Sequence, residues 1–211
     1  MTSIQLFWAG LAVALVYLPM AEAAPSWPRS GLKTLPLIAF AGAAWLAGGP
    51  GLLVAALVFS ALGDFALSRE GRAAFLYGLA AFALAHLLQV LVFTGVAARP
   101  LWDAFALAPL LAVFLLGVGL SAEIWLVPHV GGLRWPVRIY VGLITAMGIA
   151  ALTVGSALLA LGVGLFIGSD ILLAWRLFRM TETDPLHEPM GWAVWLFYVV
   201  GQALIVTVIV G

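Results

Sequence analysis

Two aspartates stand where a carboxylate is costly. Asp64 lies in FSALGDFALS (59–68) and Asp170 in GLFIGSDILLAW (164–175), each inside a long apolar run. A carboxyl so placed is a proton carrier, able to exchange a proton with a bound molecule or to pass one along a relay. An Asp at the centre of a membrane helix costs about 2.5–3.5 kcal/mol on an insertion scale, and somewhat less nearer the interface. Two without partners would consume several kcal/mol of a stability that is usually about 5–15 kcal/mol. The plainer explanation is that each Asp only hydrogen-bonds a neighbouring helix. Against it, both acids follow a Gly or Ser and precede an apolar turn, and residue counting places them at one depth.

The elements that hold them follow from composition. Only 9% of the 211 residues are charged, 65% are hydrophobic, and the mean hydropathy is +1.18. A soluble domain carries about 25% charged residues, so this chain cannot be wrapped in a solvated polar surface. It reads as an integral membrane protein, all-α, a polytopic helix bundle forming a single domain over residues 1–211. The net charge of zero points to neither nucleic acid nor an acidic partner, and no protein partner is inferable. There is no cysteine, which removes disulfides, thiolate nucleophiles and thiolate metal sites together.

A spanning helix needs about 20 mostly apolar residues. Eight stretches qualify, at roughly 4–20, 32–48, 51–68, 73–97, 104–122, 136–153, 156–175 and 190–210. Turn signals separate them, among them Gly48-Gly49-Pro50-Gly51, Arg99-Pro100 and Thr183-Asp184-Pro185. A β-barrel would need segments of about 10 alternating residues, and nothing here alternates. Ala21-Glu22-Ala23 has the look of a cleavage site, but MTSIQ lacks a basic residue and Arg29 and Lys33 follow the apolar run. The first stretch is therefore expected to be a retained helix and not a signal peptide.

Eight of the nine basic residues, all but Arg99, fall in the odd-numbered connections or at the helix edges beside them. By the positive-inside tendency that face is cytosolic, which puts both termini on the non-cytosolic side. Asp64 lies five residues before Arg69, and Asp170 six before Arg176. At the rise of an α-helix this is about 7.5 and 9 Å from the basic edge, so both acids are expected in the cytosolic half. Tyr77 and Tyr198 enter from the same face to a similar level, with His86 and Gln202 deeper. Ser60 stands one turn from Asp64, and Gln202 one turn from Tyr198. Tyr17 and Tyr140 read as interfacial belt residues, and Gly164 with Gly168 as a close-packing pair. Asp103, Glu123, Glu182, Asp184 and Glu188 are expected to be solvated in connections.

A faint internal echo accompanies this. The third and seventh stretches carry Gly-Asp-x-x-Leu or Ser-Asp-x-x-Leu, and each precedes a stretch holding Tyr and Gln. A parallel four-plus-four repeat or chance likeness among apolar helices would explain it equally well.

Along nearly the whole chain, the motifs stand in the order of a known family. They are Lys33 with Pro36, F-S-A-L-G-D (59–64), F-L-Y-G-L-A-A-F-A-L-A-H (75–86), P-V-R-I-Y (136–140) with Met147, G-L-F-I-G-S-D (164–170) and Y-V-V-G-Q (198–202). The set resembles the YhhN-type lysoplasmalogenase family of eight-helix membrane enzymes. Two places depart from its pattern: Gln89 stands where a Tyr often follows the His, and the Lys-Pro pair is spread over Lys33-Thr34-Leu35-Pro36.

The resemblance implies hydrolysis of the vinyl ether bond of a lysophospholipid, lysoplasmalogen, to a fatty aldehyde and glycerophosphoethanolamine or glycerophosphocholine. That reaction needs a protonated acid, an anion facing an oxocarbenium ion, and a positioned water. Two carboxyls in unlike surroundings can divide these roles, as in glycosidases. Asp64 and Asp170 are the expected pair. Tyr77, Tyr198, Gln202 and His86 would bind or orient substrate or water, and Ser60 would position Asp64. Lys33 or an edge Arg would hold the lipid phosphate. No cofactor or metal is expected: zinc sites usually need about three ligands, and His129 and His187 fall in connections. The alternative is a small proton-coupled transporter using the same acids as a relay. The Arg-, Ala- and Gly-rich composition suggests the inner membrane of a GC-rich bacterium.

Overall fold

The computed structural model describes residues 1–211 and consists of helices and turns. In chain order the helices are α1 (Ser3–Tyr17), α2 (Trp27–Leu46), α3 (Gly51–Leu67), α4 (Arg72–Ala97), α5 (Ala104–Leu107), α6 (Pro109–Trp125), α7 (Arg134–Leu152), α8 (Ala157–Arg179) and α9 (His187–Val210). Six segments are long and apolar enough to cross a membrane: Ser3–Met20, Arg72–Ala97, Pro109–His129, Gly131–Leu152, Ala157–Arg179 and His187–Val210. The chain is a multi-pass membrane protein. α3 is apolar but shorter. α2 carries Arg29 and Lys33 inside the helix together with Pro28 and Pro36.

Local chemistry sets the ends. Thr2 and Gln5 form a reciprocal capping box on α1, and the hydroxyls of Ser26 and Ser156 accept the first free N–H groups of α2 and α8. α2 closes with Gly48 at φ +74°, where the Gly49 N–H reaches the Ala44 carbonyl at 2.9 Å and the Gly48 N–H that of Trp45 at 3.0 Å. This is the six-to-one and five-to-two pattern that a left-handed residue permits. The stretch expected as one helix at 104–122 is broken at Ala108, with φ −142° and ψ 63°. Pro109 has no N–H to give and pushes the residue before it out of the helical region. Beyond the break, α6 continues to Trp125.

α8 packs most extensively on α9, α3 on α4, and α1 on α2, while α4 reaches across to α7 and α2 to α9. The α8–α9 contact is a close backbone approach. A Cβ on Gly201 would stand 2.6 Å from the Gly162 carbonyl oxygen, and one on Gly162 would stand 3.0 Å from that of Gly201. Small residues at a helix crossing permit this in a membrane. Gly164 and Gly168 do not perform that role: Gly164 faces open space, and Gly168 would make only an ordinary contact with Phe197 at 3.4 Å. The outer faces are apolar, with Leu110, Val113, Phe114, Leu120 and Ile124 of α6 all exposed, as suits a surface meeting acyl chains.

Candidate active site

A cavity of about 390 Å³ opens at one end of the bundle. Its walls come from the last turn of α3, the C-terminal halves of α6 and α8, the N-terminal parts of α2, α4, α7 and α9, and the linker after α1. Most of its lining is hydrophobic, and Asp64 and Asp170 both face it. Arg29, Lys33, Arg69 and Arg176 line it as well, so this is the basic end of the molecule.

Asp64 sits on the wall made by α3, α2 and α9. Its Oδ2 accepts a hydrogen bond from the Tyr198 hydroxyl at 2.7 Å, and its Oδ1 lies 3.9 Å from Lys33 Nζ. The residue is 2% exposed. One turn deeper, Gln202 donates to the Ser60 hydroxyl at 3.2 Å and accepts from Gln89 at 3.4 Å. All three polar side chains are fully buried and joined in one line, with Gln89 Oε1 left without a partner.

Asp170 has different company. Its Oδ2 accepts from the Tyr140 hydroxyl, and His86 Nε2 lies 3.0 Å from that hydroxyl and 3.5 Å from the same carboxylate oxygen. A tyrosine hydroxyl donates one proton and accepts others, so Asp170, Tyr140 and His86 form a continuous chain. The Asp170 side chain is 16% exposed against 3% for Asp64. Phe166 stands between the two halves, with its ring centre 5.0 Å from His86 and 5.3 Å from Tyr198. Phe82 packs on both Phe166 and Tyr198. Two carboxyls thus share one apolar-walled space. One is closed in beside a lysine, and the other is joined to a histidine through a hydroxyl.

Of the residues expected from sequence, Lys33, Asp64, Asp170 and Tyr198 line the cavity. His86 stands behind it, reaching Asp170 through Tyr140. Ser60 and Gln202 bond each other below it, so Ser60 does not hold Asp64. Lys33 lies beside a catalytic candidate and not at the rim. Tyr77 is a correction: it is 74% exposed and absent from the lining. Cavity-lining Phe75, Leu79 and Phe82 define the inner face of α4, and at about 100° per residue Tyr77 points away from it. The echo between the two halves fails at the same point, because Tyr198 is buried where Tyr77 is not.

Three participants escaped sequence reasoning. Tyr140, read as a belt residue, is at the centre of the Asp170 chain. Tyr17, read likewise, is 2% exposed and faces the cavity. Glu22 lies in the linker after α1 yet pairs with Arg176 of α8. Arg29 ties that linker down by donating to the Met20 and Ala21 carbonyls at 3.0 and 2.6 Å. For Tyr140 a signal was present, since Val137, Val141 and Ile144 mark one face of α7 and Tyr140 falls on it. Glu123 is also not merely solvated, since both of its oxygens accept from Arg138 at 2.8 Å.

The sequence profile of the YhhN family matches residues 28–209. Among curated proteins, lysoplasmalogenase TMEM86B of Sus scrofa is 39% identical over 166 residues, covering 73% of this chain and 65% of that protein. Lysoplasmalogenase TMEM86A of Bos taurus is 32% identical over 197 residues, covering 81% and 75%. A lysoplasmalogenase of Mycobacterium tuberculosis is 30% identical over 158 residues, covering 72% and 58%. The chain thus spans 65% of the length of the pig and human TMEM86B proteins. No solved structure matches it. With nearly its whole length matched, from the start of α2 to the end of α9, the chain belongs to the YhhN family.

Proposed function

We propose that this protein hydrolyses the vinyl ether bond of lysoplasmalogen, releasing a fatty aldehyde and glycerophosphoethanolamine or glycerophosphocholine. The observation that carries the reading is the pair of carboxyls facing one apolar-walled cavity of about 390 Å³. The relatives named lysoplasmalogenase support the choice of bond.

Asp170 is the acid of this mechanism. It protonates the β-carbon of the vinyl ether, leaving an oxocarbenium ion at the carbon bonded to oxygen. Its links to Tyr140 and His86, and its partial exposure, support this role, because the proton it gives must be replaced in every turnover. The Asp64 carboxylate, held by Tyr198, faces the cation and takes a proton from the attacking water. The hemiacetal so formed collapses as its hydroxyl gives a proton to the Asp170 carboxylate and its ether oxygen takes the proton held by Asp64, giving aldehyde and glycerol hydroxyl. One water is consumed, and both carboxyls return to their starting states.

In this reading the bundle crosses the membrane eight times, with α2 and α3 as a hairpin beside the six longer spans. Both termini are on the non-cytosolic side, and the cavity lies in the cytosolic half of a bacterial inner membrane. The clustering of Arg29, Arg69 and Arg176 at one end supports that orientation.

Purified protein should release aldehyde from a 1-alkenyl lysophospholipid and none from the saturated 1-alkyl analogue. Absence of product, with proton uptake into proteoliposomes on adding the lipid, would replace the hydrolase by a carrier.

A further inference from the structure

Six buried side-chain polar atoms lack a partner in the fold, and four of them gather at the basic end of the cavity. They are Nε and Nη2 of Arg69, Nε of Arg176 and Oε1 of Glu22. An unpartnered buried polar atom is costly, because it has lost its bonds to water and gained none. Four together, with both donors and an acceptor among them, describe a ligand with complementary groups.

Arg69 is the most specific of these. Its guanidinium lies 3.7 Å over the ring of Trp27 and 5.3 Å from that of Phe65. Stacking occupies the face of the guanidinium and fixes its plane, and leaves the edge free. The Nε–Nη2 edge presents two N–H groups side by side, the fork that grips a phosphate or carboxylate with two bonds. Arg29 shows what this edge does when the protein fills it, since its Nε and Nη2 take the carbonyls of Met20 and Ala21. In Arg69 the same edge is without a partner. Glu22 supplies the opposite charge: one of its oxygens is held by Arg176, and the other is buried and free.

We propose that the Arg69 edge binds the phosphate of the lysophospholipid headgroup and that Glu22 accepts the headgroup's ammonium. This rests on the lipid substrate proposed above and adds the residues that read its polar end. Asp64 lies in the last turn of α3 and Arg69 two residues beyond its end, and both line the cavity. The phosphate therefore sets the height at which the vinyl ether meets the carboxyls. A zwitterionic phospho-amine fits this pair of sites better than a neutral or purely anionic lipid.

The test is a binding measurement in detergent with lipids that cannot be hydrolysed. Calorimetry would compare 1-alkyl lysophosphoethanolamine, 1-alkyl lysophosphatidate and 1-alkylglycerol on wild type, Arg69→Gln, Arg69→Lys and Glu22→Gln. Both Arg69 variants should weaken the two phospholipids by about tenfold to a hundredfold, the scale of one charge-assisted contact, and leave 1-alkylglycerol unchanged. Glu22→Gln should weaken the phosphoethanolamine lipid and spare the lysophosphatidate. Unchanged phospholipid binding in Arg69→Gln overturns the proposal, as does an equal loss for 1-alkylglycerol, which would make Arg69 a wall of the cavity. Inorganic phosphate bound as tightly as the lipid would make this a soluble-anion site and equally overturn it. Because the calorimetry uses no vinyl ether, Arg69-dependent binding together with no aldehyde release from the 1-alkenyl lipid in the separate activity assay would discard the reaction and keep the headgroup site.

Discussion

Replacing Tyr140 by Phe removes one oxygen from the centre of the chain that joins Asp170 to His86. In the native arrangement that oxygen donates to Asp170 Oδ2 and lies 3.0 Å from His86 Nε2. Without it, the nearest approach of the two ends is the 3.5 Å between His86 Nε2 and Asp170 Oδ2, outside the 2.7–3.2 Å usual for an N–H···O bond. The ring itself remains, keeping its edge contact with His86 at 5.1 Å and the shape of the cavity. A hydrogen bond to a charged group is worth about 1.5–3 kcal/mol, and each 1.36 kcal/mol on the barrier is about tenfold in rate. Tyr140→Phe should therefore lower kcat by about tenfold to a hundredfold with KM changed little. Aldehyde release coupled to NADH consumption by an alcohol dehydrogenase measures this directly in detergent. Tyr77→Phe, on the outer face of α4, is the matched control and should behave as wild type. A Tyr140→Phe enzyme turning over within about twofold of wild type would place Tyr140 outside the proton path, and an equal loss in Tyr77→Phe would mean that the assay reads helix packing.

Four further variants test the geometry. Gly201→Ala drives a Cβ to 2.6 Å from the Gly162 carbonyl oxygen, so it should destabilise the α8–α9 pair by about 1–3 kcal/mol, read as a lower unfolding midpoint in detergent. Gly164→Ala, with nothing within 4 Å, should leave the midpoint unchanged. Lys33→Met leaves Asp64, its carboxylate 3% exposed, without its nearby cation; the variant should lose up to about 3 kcal/mol of stability together with most aldehyde release, and an unaltered melting curve would contradict the pairing. Gln202→Ala strips partners from both Gln89 and Ser60; it should cost about 1–3 kcal/mol in stability while lowering kcat less than Tyr140→Phe does.

Much of this protein is legible in its residues, and the failures have specific causes. Apolar runs give helices directly, because an unpaired backbone group in lipid is prohibitive. Asp64 and Asp170 announce themselves for the same reason. Matching depth comes from counting residues to the nearest Arg, and the cavity does gather both acids with Tyr198 and Lys33. Rotation about the helix axis is harder, because a uniformly apolar helix has no polar face to mark its outside. Tyr77 and Tyr140 exchange importance on that account, although the spacing of Phe75, Leu79 and Phe82 holds the clue for the first. Glu22 is hidden for another reason: the linker after α1 is held against the bundle by Arg29 and Arg176, and no local pattern records a contact across 154 positions. Ser60 lies on the face of Asp64 as its spacing requires, yet its hydroxyl is taken by Gln202 from a neighbouring helix.

In the proposed mechanism Asp64 and Asp170 together carry out the proton transfers of vinyl ether hydrolysis. Asp64→Asn and Asp170→Asn preserve shape while removing the exchangeable carboxyl. Steady-state aldehyde release by the two purified variants, each shown to be folded by its melting curve, tests the claim most directly. Each variant should lose at least about a hundredfold in kcat, the scale of general acid–base catalysis, with 1-alkyl lysophospholipid still bound. Near-native turnover by either variant would contradict it.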